Sequence, residues 1–308
     1  MTMDILLHAL KALAEETRLR LFNILLQHEL NVGELTVILG MGQSRVSRHL
    51  KILVESGLLA GRRDGLWVFY SAVASGFGQE VRAAVEPLIR VQEDSVLSDD
   101  LARADAVMEE RNQATQRFFD SIATDWDSLS NQVLGGLDLN AEIASRLPQG
   151  GVVADLGCGT GRLLAVMAKG ADQVVGVDNS QKMLDVARKS FAHKDNAVSL
   201  RIGELEHLPL RDKEADAAVM SMALHHLSNP MAGIAEAYRV LSDSGTFILV
   251  DFLKHDTESM RFTYGDRWLG FSAGELDDWL ENAGFKPGTS QDFSVNKGLT
   301  VRMVTALK

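Results

Sequence analysis

Apolar residues recur at helical spacing through the first 55 positions of the chain. Residues 3–14 place Ile5, Leu6, Ala9, Leu10 and Leu13 on one face and predict a helix. Leu21, Ile24 and Leu25 do the same for Thr17 to Gln27, and Val32 to Leu39 forms a third helical pattern. In residues 43–55, Val46, Leu50 and Leu53 stand at i, i+4 and i+7, the buried stripe of a fourth helix. The period then drops to two from Leu58 to Ser71 around Asp64-Gly65, a short-range hairpin signal. Helices followed by a two-stranded ribbon predict a winged helix-turn-helix.

Residues 76–123 read as helical again, with Gly76 and Gly78 near the start and Pro87 able to kink the helix. Charged and polar residues dominate 98–117, as in a solvated connecting helix or a dimer interface. Phe118, Phe119, Ile122 and Trp126 restore apolar character. From residue 151, strand patterns at 152–156, 173–177, 197–202, 216–221 and 245–251 alternate with helices that include 181–190, 231–241 and 273–283. Two more strands, near 289–295 and 299–307, read as a closing hairpin. This alternation predicts an α/β domain with a parallel sheet and right-handed crossovers. The expected domains are therefore a winged helix-turn-helix at 1–75, a helical dimerisation or linker segment at 76–117, and a Rossmann-like domain at 118–308.

Composition adds little to this picture, whereas charge adds more. A length of 308 residues suits two domains. No apolar run reaches the ~18 residues a membrane span needs, and Met1-Thr2-Met3-Asp4 lacks the basic start of a secretory signal. The one cysteine, Cys158, excludes an internal disulfide and fits the reducing cytoplasm. Net charge is −11, unevenly spread: residues 1–75 carry 8 Lys and Arg against 7 Asp and Glu, and the remainder 23 against 35. Only the N-terminal part therefore offers a nucleic-acid surface.

Candidate chemistry starts at Val152-Val153-Ala154-Asp155-Leu156-Gly157-Cys158-Gly159-Thr160-Gly161, followed by Val174 to Asp178. A strand running into a glycine turn and a helix, then a second strand ending on an acid, builds a nucleotide pocket at the carboxyl ends of a parallel sheet. Gly157 and Gly159 are expected to let backbone N–H groups approach a ligand. Asp178 is placed to accept both hydroxyls of a ribose. Arg162 stands where a dinucleotide fingerprint has its third glycine. Asp155, two residues before the first glycine, suits a cationic amine better than a pyrophosphate.

These residues resemble the S-adenosylmethionine (SAM) site of class I methyltransferases, and the resemblance covers residues 118–308. It implies that Asp155 holds the methionine amino group, that Gly157 and Gly159 line methionine and ribose, and that Asp178 binds the ribose hydroxyls beside Asn179. Glu204 would accept from the adenine amine with Leu205 next to it, and Met183 packs either near adenine or in the core. The implied cofactor is SAM or S-adenosylhomocysteine (SAH), without a metal. After the fourth strand, His225 and His226 lie at the edge where the methyl group should sit. Either suits a general base; the alternative is that one caps a helix and the other packs. Within Met260–Phe271, Arg261, Tyr264, Arg267 and Trp268 either line a pocket for a polar or anionic acceptor or belong to a surface helix packed on the sheet.

On the fourth helix, Gln43, Ser44, Arg45, Ser47, Arg48 and His49 form a polar face suited to base edges and phosphates. Arg62 and Arg63 flank the hairpin turn and are placed to grip phosphates. Leu13 to Leu21 and Gln43 to Leu53 resemble the ArsR family of winged-helix repressors over residues 3–95. That resemblance implies a homodimer on palindromic double-stranded operator DNA, paired through the first and last helices. Family metal sensors carry paired cysteines near the third helix or histidines on the last one. Here Asn31 and Gly33 hold the paired positions and 76–97 contains no histidine, so no metal is expected at those sites. Arsenite methylation is excluded in the same way, by a single cysteine.

The whole chain resembles ArsR–methyltransferase fusions. Its expected function is a DNA-binding regulator whose second domain binds SAM or SAH as effector or cofactor. The alternative is a SAM-dependent methyltransferase of a small molecule, with the winged helix serving mainly for dimerisation.

Overall fold

The computed structural model describes residues 3–73, 76–90, 95–191 and 198–308, and these fall into two compact units, Met1–Arg111 and Asn112–Lys308. Residues 91–94 of the expected 76–123 helix, position 197 of the expected 197–202 strand, and positions 1, 2, 74 and 75 of the expected first domain lie outside the described residues.

The first unit contains α1 (Met3–Leu13), α2 (Glu16–Leu25), β1 (Leu30–Asn31), α3 (Val32–Leu39), α4 (Gln43–Glu55), β2 (Leu59–Asp64), β3 (Trp67–Ala72), α5 (Gly76–Arg90) and the start of α6 (Ser95–Ile122). Local chemistry sets its turns. Asn31 and Glu34 form a capping box at the start of α3 (3.1 and 2.8 Å), and Gly40 ends the helix at a left-handed φ of 63°. The wing hairpin turns one residue later than the sequence pattern suggests. Asp64 pairs with Trp67, so the two-residue loop is Gly65-Leu66, and Gly65 takes the positive φ that the turn demands. β1, which the sequence pattern did not reveal, adds a third strand on the free side of β3.

Leu21, Phe22, Ile24, Leu35, Ile38, Val46, Leu50 and Leu53 form the core of this unit, and Val81, Ile89 and Ala104 complete it. Helix α5 and the start of α6 are thus part of the first globule, because Val81, Ile89 and Ala104 are buried in its core. Asp100 on α6, with a fully buried side chain, accepts two bonds from Arg20 on α2 at 2.7 and 2.9 Å. Arg111 reaches Glu34 from the same helix at 2.7 Å.

The second unit contains the end of α6, α7 (Trp126–Leu134), α8 (Leu139–Ala144), β4 (Val152–Leu156), α9 (Arg162–Met167), β5 (Gln173–Asp178), α10 (Gln181–Phe191), β6 (Val198–Ile202) and β7 (Ala215–Ser221). It continues with α11 (Pro230–Val240), β8 (Leu241–Phe252), α12 (Ser259–Thr263), α13 (Ala273–Ala283), β9 (Lys286–Ser294) and β10 (Thr300–Leu307). Among the described residues the sheet order is β6-β5-β4-β7-β8-β10-β9. The strands from β6 to β8 are parallel, as the strand–helix alternation predicts. β10 runs antiparallel between β8 and β9, so the second strand of the closing hairpin takes the inner place. The order reverses at β4, which has β5 on one side and β7 on the other. A crevice therefore opens beyond the carboxyl ends of these strands. β4 and β7 are buried almost throughout, as strands covered on both faces must be. Among the described residues no helix is long and apolar enough to cross a membrane.

Candidate functional site

The crevice at the β4 switch point holds a cavity of about 610 Å³. Asp155, Gly157, Gly159, Asp178, Asn179, Met183, Glu204 and Leu205 all line it. Residues scattered over 50 positions meet here because each sits at or just beyond the carboxyl end of β4, β5 or β6.

The glycines work differently from the sequence expectation. The N–H groups of Gly157 and Cys158 donate to the Val177 carbonyl at 2.8 and 2.9 Å, and the Gly159 N–H donates to Asp178 Oδ2 at 2.8 Å. These donors tie the turn to β5 and leave none of the three for a ligand. What Gly157 provides is space: its φ is 88°, and a Cβ there would stand 2.8 Å from that of Ala223. Asp178 also accepts from the Ser180 N–H at 2.9 Å, so one residue organises both loops and retains acceptor capacity on the cavity side.

Burial perturbs both carboxyls of the site. Burial pushes Asp155 up to about 8, and the neighbouring Asp178 adds to the rise. Burial pushes Asp178 up to about 6, opposed by the two N–H groups it accepts. Asp155 is 2% exposed and its Oδ2 has no hydrogen-bond partner. A buried acid with an unused acceptor and a raised pKa is suited to an incoming cation, which would make ionisation favourable.

Several lining residues escaped the sequence reading. Trp126, Asp127 and Phe119 border the cavity, with Phe119 edge-on to Trp126 at 5.2 Å and to His226 at 4.7 Å. Thr160 donates to Asp127 at 2.6 Å, Ser180 to Asp120 at 2.6 Å, and Gln116 to the Asn179 carbonyl at 2.7 Å, so α6 and α7 are pinned against the glycine loop and the β5 loop. The aromatic run from Phe118 to Trp126 was the available signal, but nothing local shows that it folds back over the motif. Met222, after β7, holds a φ of 54° in the cavity wall, a strained conformation for a side chain of this size.

The structure separates the two histidines. His226 lines the cavity; its Nδ1 stands 3.1 Å from the Gly265 carbonyl and its Nε2 has no hydrogen-bond partner. Burial and the charge of His225 hold it well below the usual imidazole range. His225 is not among the lining residues. It stands between Asp251 (2.7 Å) and Asp266 (3.6 Å); burial alone would lower it, but the two acids carry it to about 8.

The expected acceptor pocket is corrected. None of Arg261, Tyr264, Arg267 and Trp268 lines the cavity. Trp268 is fully buried and its indole N–H donates to the Leu227 carbonyl at 2.9 Å. Tyr264 is a core residue, Arg261 pairs with Glu258, and Arg267 donates to Thr115 at 3.3 Å. The N–H groups of Arg267 and Trp268 donate to the His225 carbonyl, which packs this segment against the carboxyl-end loops and buries Tyr264 and Trp268.

In the first unit, Gln43, Ser44, Arg45, Ser47 and Arg48 are exposed on α4 while Val46, Leu50 and Leu53 face inward. His49 departs from the expected face. Its side chain is 12% exposed, its Nδ1 lies 3.5 Å from Glu15, and burial lowers its pKa. Arg62 is also engaged, by a two-point pair with Glu29 at 2.9 and 3.1 Å, whereas Arg63 is exposed beside the hairpin tip. Leu66 and Trp67 protrude at that tip. Replacing Arg48 with Ala should weaken duplex binding at all sequences and reduce the salt slope by about one counterion. Arg62→Ala should change the slope far less; fluorescence anisotropy across a salt series measures both.

Residues 154–249 match the family described as "Methyltransferase domain", and residues 15–60 match "Bacterial regulatory protein, arsR family". The chain is 31% identical over 183 residues to a demethylmenaquinone methyltransferase of Symbiobacterium thermophilum, covering 56% of this chain and 71% of that protein. It is 30% identical over 152 residues to the enzyme of the same name from Deinococcus radiodurans, covering 47% and 62%. Among solved structures, the [4+2]-cyclase SpnF superposes with a TM-score of 0.54 at 20% identity over 62% of this chain and 94% of that one, which shows a shared fold.

Proposed function

Because the chain belongs to the class I methyltransferase family and carries an arsR-family helix-turn-helix at its N-terminal end, we propose that it is a DNA-binding regulator whose second domain takes SAM or SAH as effector. The observation that carries this reading is α6. One helix supplies Asp100 and Arg111 to the first unit and Asn112, Thr115 and Phe119 to the wall of the cavity. A ligand that presses on Phe119 or Thr115 acts on the same helix that is tied to Arg20 and Glu34. A ligand shifts DNA affinity only if it prefers one of two arrangements, and a tenfold shift needs about 1.4 kcal/mol of preference.

Asp155 and Asp178 support the cofactor. One offers a buried carboxyl to an ammonium group, and the other a carboxylate to a diol. Exposed Ile5, Leu7 and Leu10 on α1 support a homodimer, since an uncovered apolar helix face is usually covered by a partner. The exposed α4 face supports duplex DNA as the other partner, and a single buried cysteine fits a reducing cytoplasm.

Methyl transfer to a small molecule is a second reading. It is favoured by His226, whose ring lies in the cavity wall with one nitrogen unpartnered. The named relatives act on demethylmenaquinone, so an aromatic acceptor is the first class to try. One titration separates the readings. With operator DNA held constant, SAH should change its affinity at least about tenfold. A flat response, together with turnover of an acceptor, would instead identify the winged helix as an assembly element.

A further inference from the structure

Beside the ligand cavity, we infer a divalent transition-metal site formed by His225, His226 and Asp266. One ring nitrogen of each histidine and a carboxylate oxygen of Asp266 lie within 4.8 Å of one another, and all three residues are buried. The site differs from the sensor positions of the first domain, at which no metal is expected, and binding of the ion does not depend on the regulator reading.

Hydrogen bonding decides which atoms are available. The Gly265 carbonyl can only accept, so His226 Nδ1 carries the proton and its Nε2 offers a lone pair. Asp251 accepts from the N–H groups of His225 and Phe252 at 3.2 and 2.7 Å, which marks it as a carboxylate. It therefore draws a proton to His225 Nδ1 at 2.7 Å, while Nε2 faces Asp266 at 3.6 Å and becomes a ligand by releasing its proton when an ion binds. His226 Nε2 and both oxygens of Asp266 are buried without a hydrogen-bond partner. The ion pair with His225 leaves these buried acceptors without a hydrogen bond, and a cation would engage all of them directly.

The surroundings match what metal sites require. Each histidine has its second nitrogen held by an oxygen, one a carboxylate and one a carbonyl, the usual support of a metal-bound imidazole. Around a tetrahedral ion, ligands at about 2.0–2.2 Å stand ~3.3–3.6 Å from one another, so loading draws the three ligand atoms, now within 4.8 Å, together by about an ångström. Two imidazoles and one carboxylate suit zinc, cobalt, nickel or ferrous iron rather than magnesium or calcium. Asp251 and Asp266 supply the two negative charges that neutralise a dication. Arg261 and Arg267 are the cations nearby, and they are engaged with Glu258 and Thr115 respectively. Because His226 also lines the cavity, an ion here would favour an oxygen-bearing ligand at its open position.

The test uses the full-length protein, freed of any histidine tag and stripped with a chelator. Zinc chloride titrated by calorimetry should bind at one ion per chain, and cobalt chloride should develop visible d–d absorption. Asp266→Asn and His226→Gln should each weaken zinc at least tenfold, while His28→Gln in the first domain should leave it unchanged. X-ray absorption of the zinc-loaded wild type should show two imidazoles on the ion and does not depend on variant folding. Zero stoichiometry, a zinc spectrum without imidazole scattering, or loss of binding only in His28→Gln would overturn the site. SAM titrated in parallel keeps the inferences apart, because a protein that binds SAM but no zinc refutes only the metal.

Discussion

Asp178→Ala should weaken SAM and SAH alike by about 100-fold or more. The carboxylate accepts from Gly159 and Ser180 at 2.8 and 2.9 Å, and its remaining acceptor capacity faces the cavity. Each hydrogen bond from a ribose hydroxyl to a charged acceptor contributes roughly 1.5–3 kcal/mol, and two are lost together. The glycine turn loses its anchor in the same step, since Gly159 has no other described acceptor for its N–H. Adenosine sharpens the experiment because it keeps the ribose and lacks the amino acid. Its affinity should fall as steeply as that of SAM, as measured by calorimetry. Unchanged affinities would remove Asp178 from the binding site.

Asp155→Asn should do the opposite to the empty protein and to the complex. With its pKa raised to about 8 in the fold, Asp155 resists ionisation, so the empty domain loses stability as pH climbs from about 4 through 8. Asparagine carries no such penalty. At pH 8 the variant should melt several degrees higher than the wild type when empty, and the difference should shrink steadily as the pH falls towards 4. SAM affinity should drop at least tenfold, because the ammonium loses its counter-charge. Adenosine binding should hardly change, in contrast to Asp178→Ala. In the wild type, SAM binding should release close to one proton below pH 8. Apparent affinity should then rise about tenfold per pH unit between 6 and 8, as calorimetry in buffers of different ionisation enthalpy would show. A wild-type affinity flat across that range would show that the carboxyl does not meet a cation.

Both predictions concern residues that were legible before any coordinates. Strand–glycine turn–helix is a local grammar: apolar β-branched residues extend the chain, glycines turn it, and the residue at each strand end must face the crevice. Asp155, Asp178 and Glu204 therefore reach one cavity although the sequence separates them. Helix α4 was equally legible, because a stripe at i, i+4 and i+7 has only one way to bury Val46, Leu50 and Leu53.

Other features depended on partners that periodicity cannot name. Arg62 looked available for a phosphate until Glu29, 33 positions earlier, was found to hold it. His49 turned inward because Glu15 lies beneath it. His225 and His226 are neighbours in the chain, yet only one lines the cavity, a difference set by Asp251 on β8 and the Gly265 carbonyl.

Local patterning was enough for the period of most elements, the strand–helix alternation that implies a parallel sheet, and the acids at its strand ends, because backbone geometry and burial act over a few residues. Long-range packing set the strand order, with β10 between β8 and β9, brought Phe119 and Trp126 to the cavity, and buried Trp268 and Tyr264. Those outcomes depend on which distant surfaces meet, and contact between distant surfaces leaves no period in the chain.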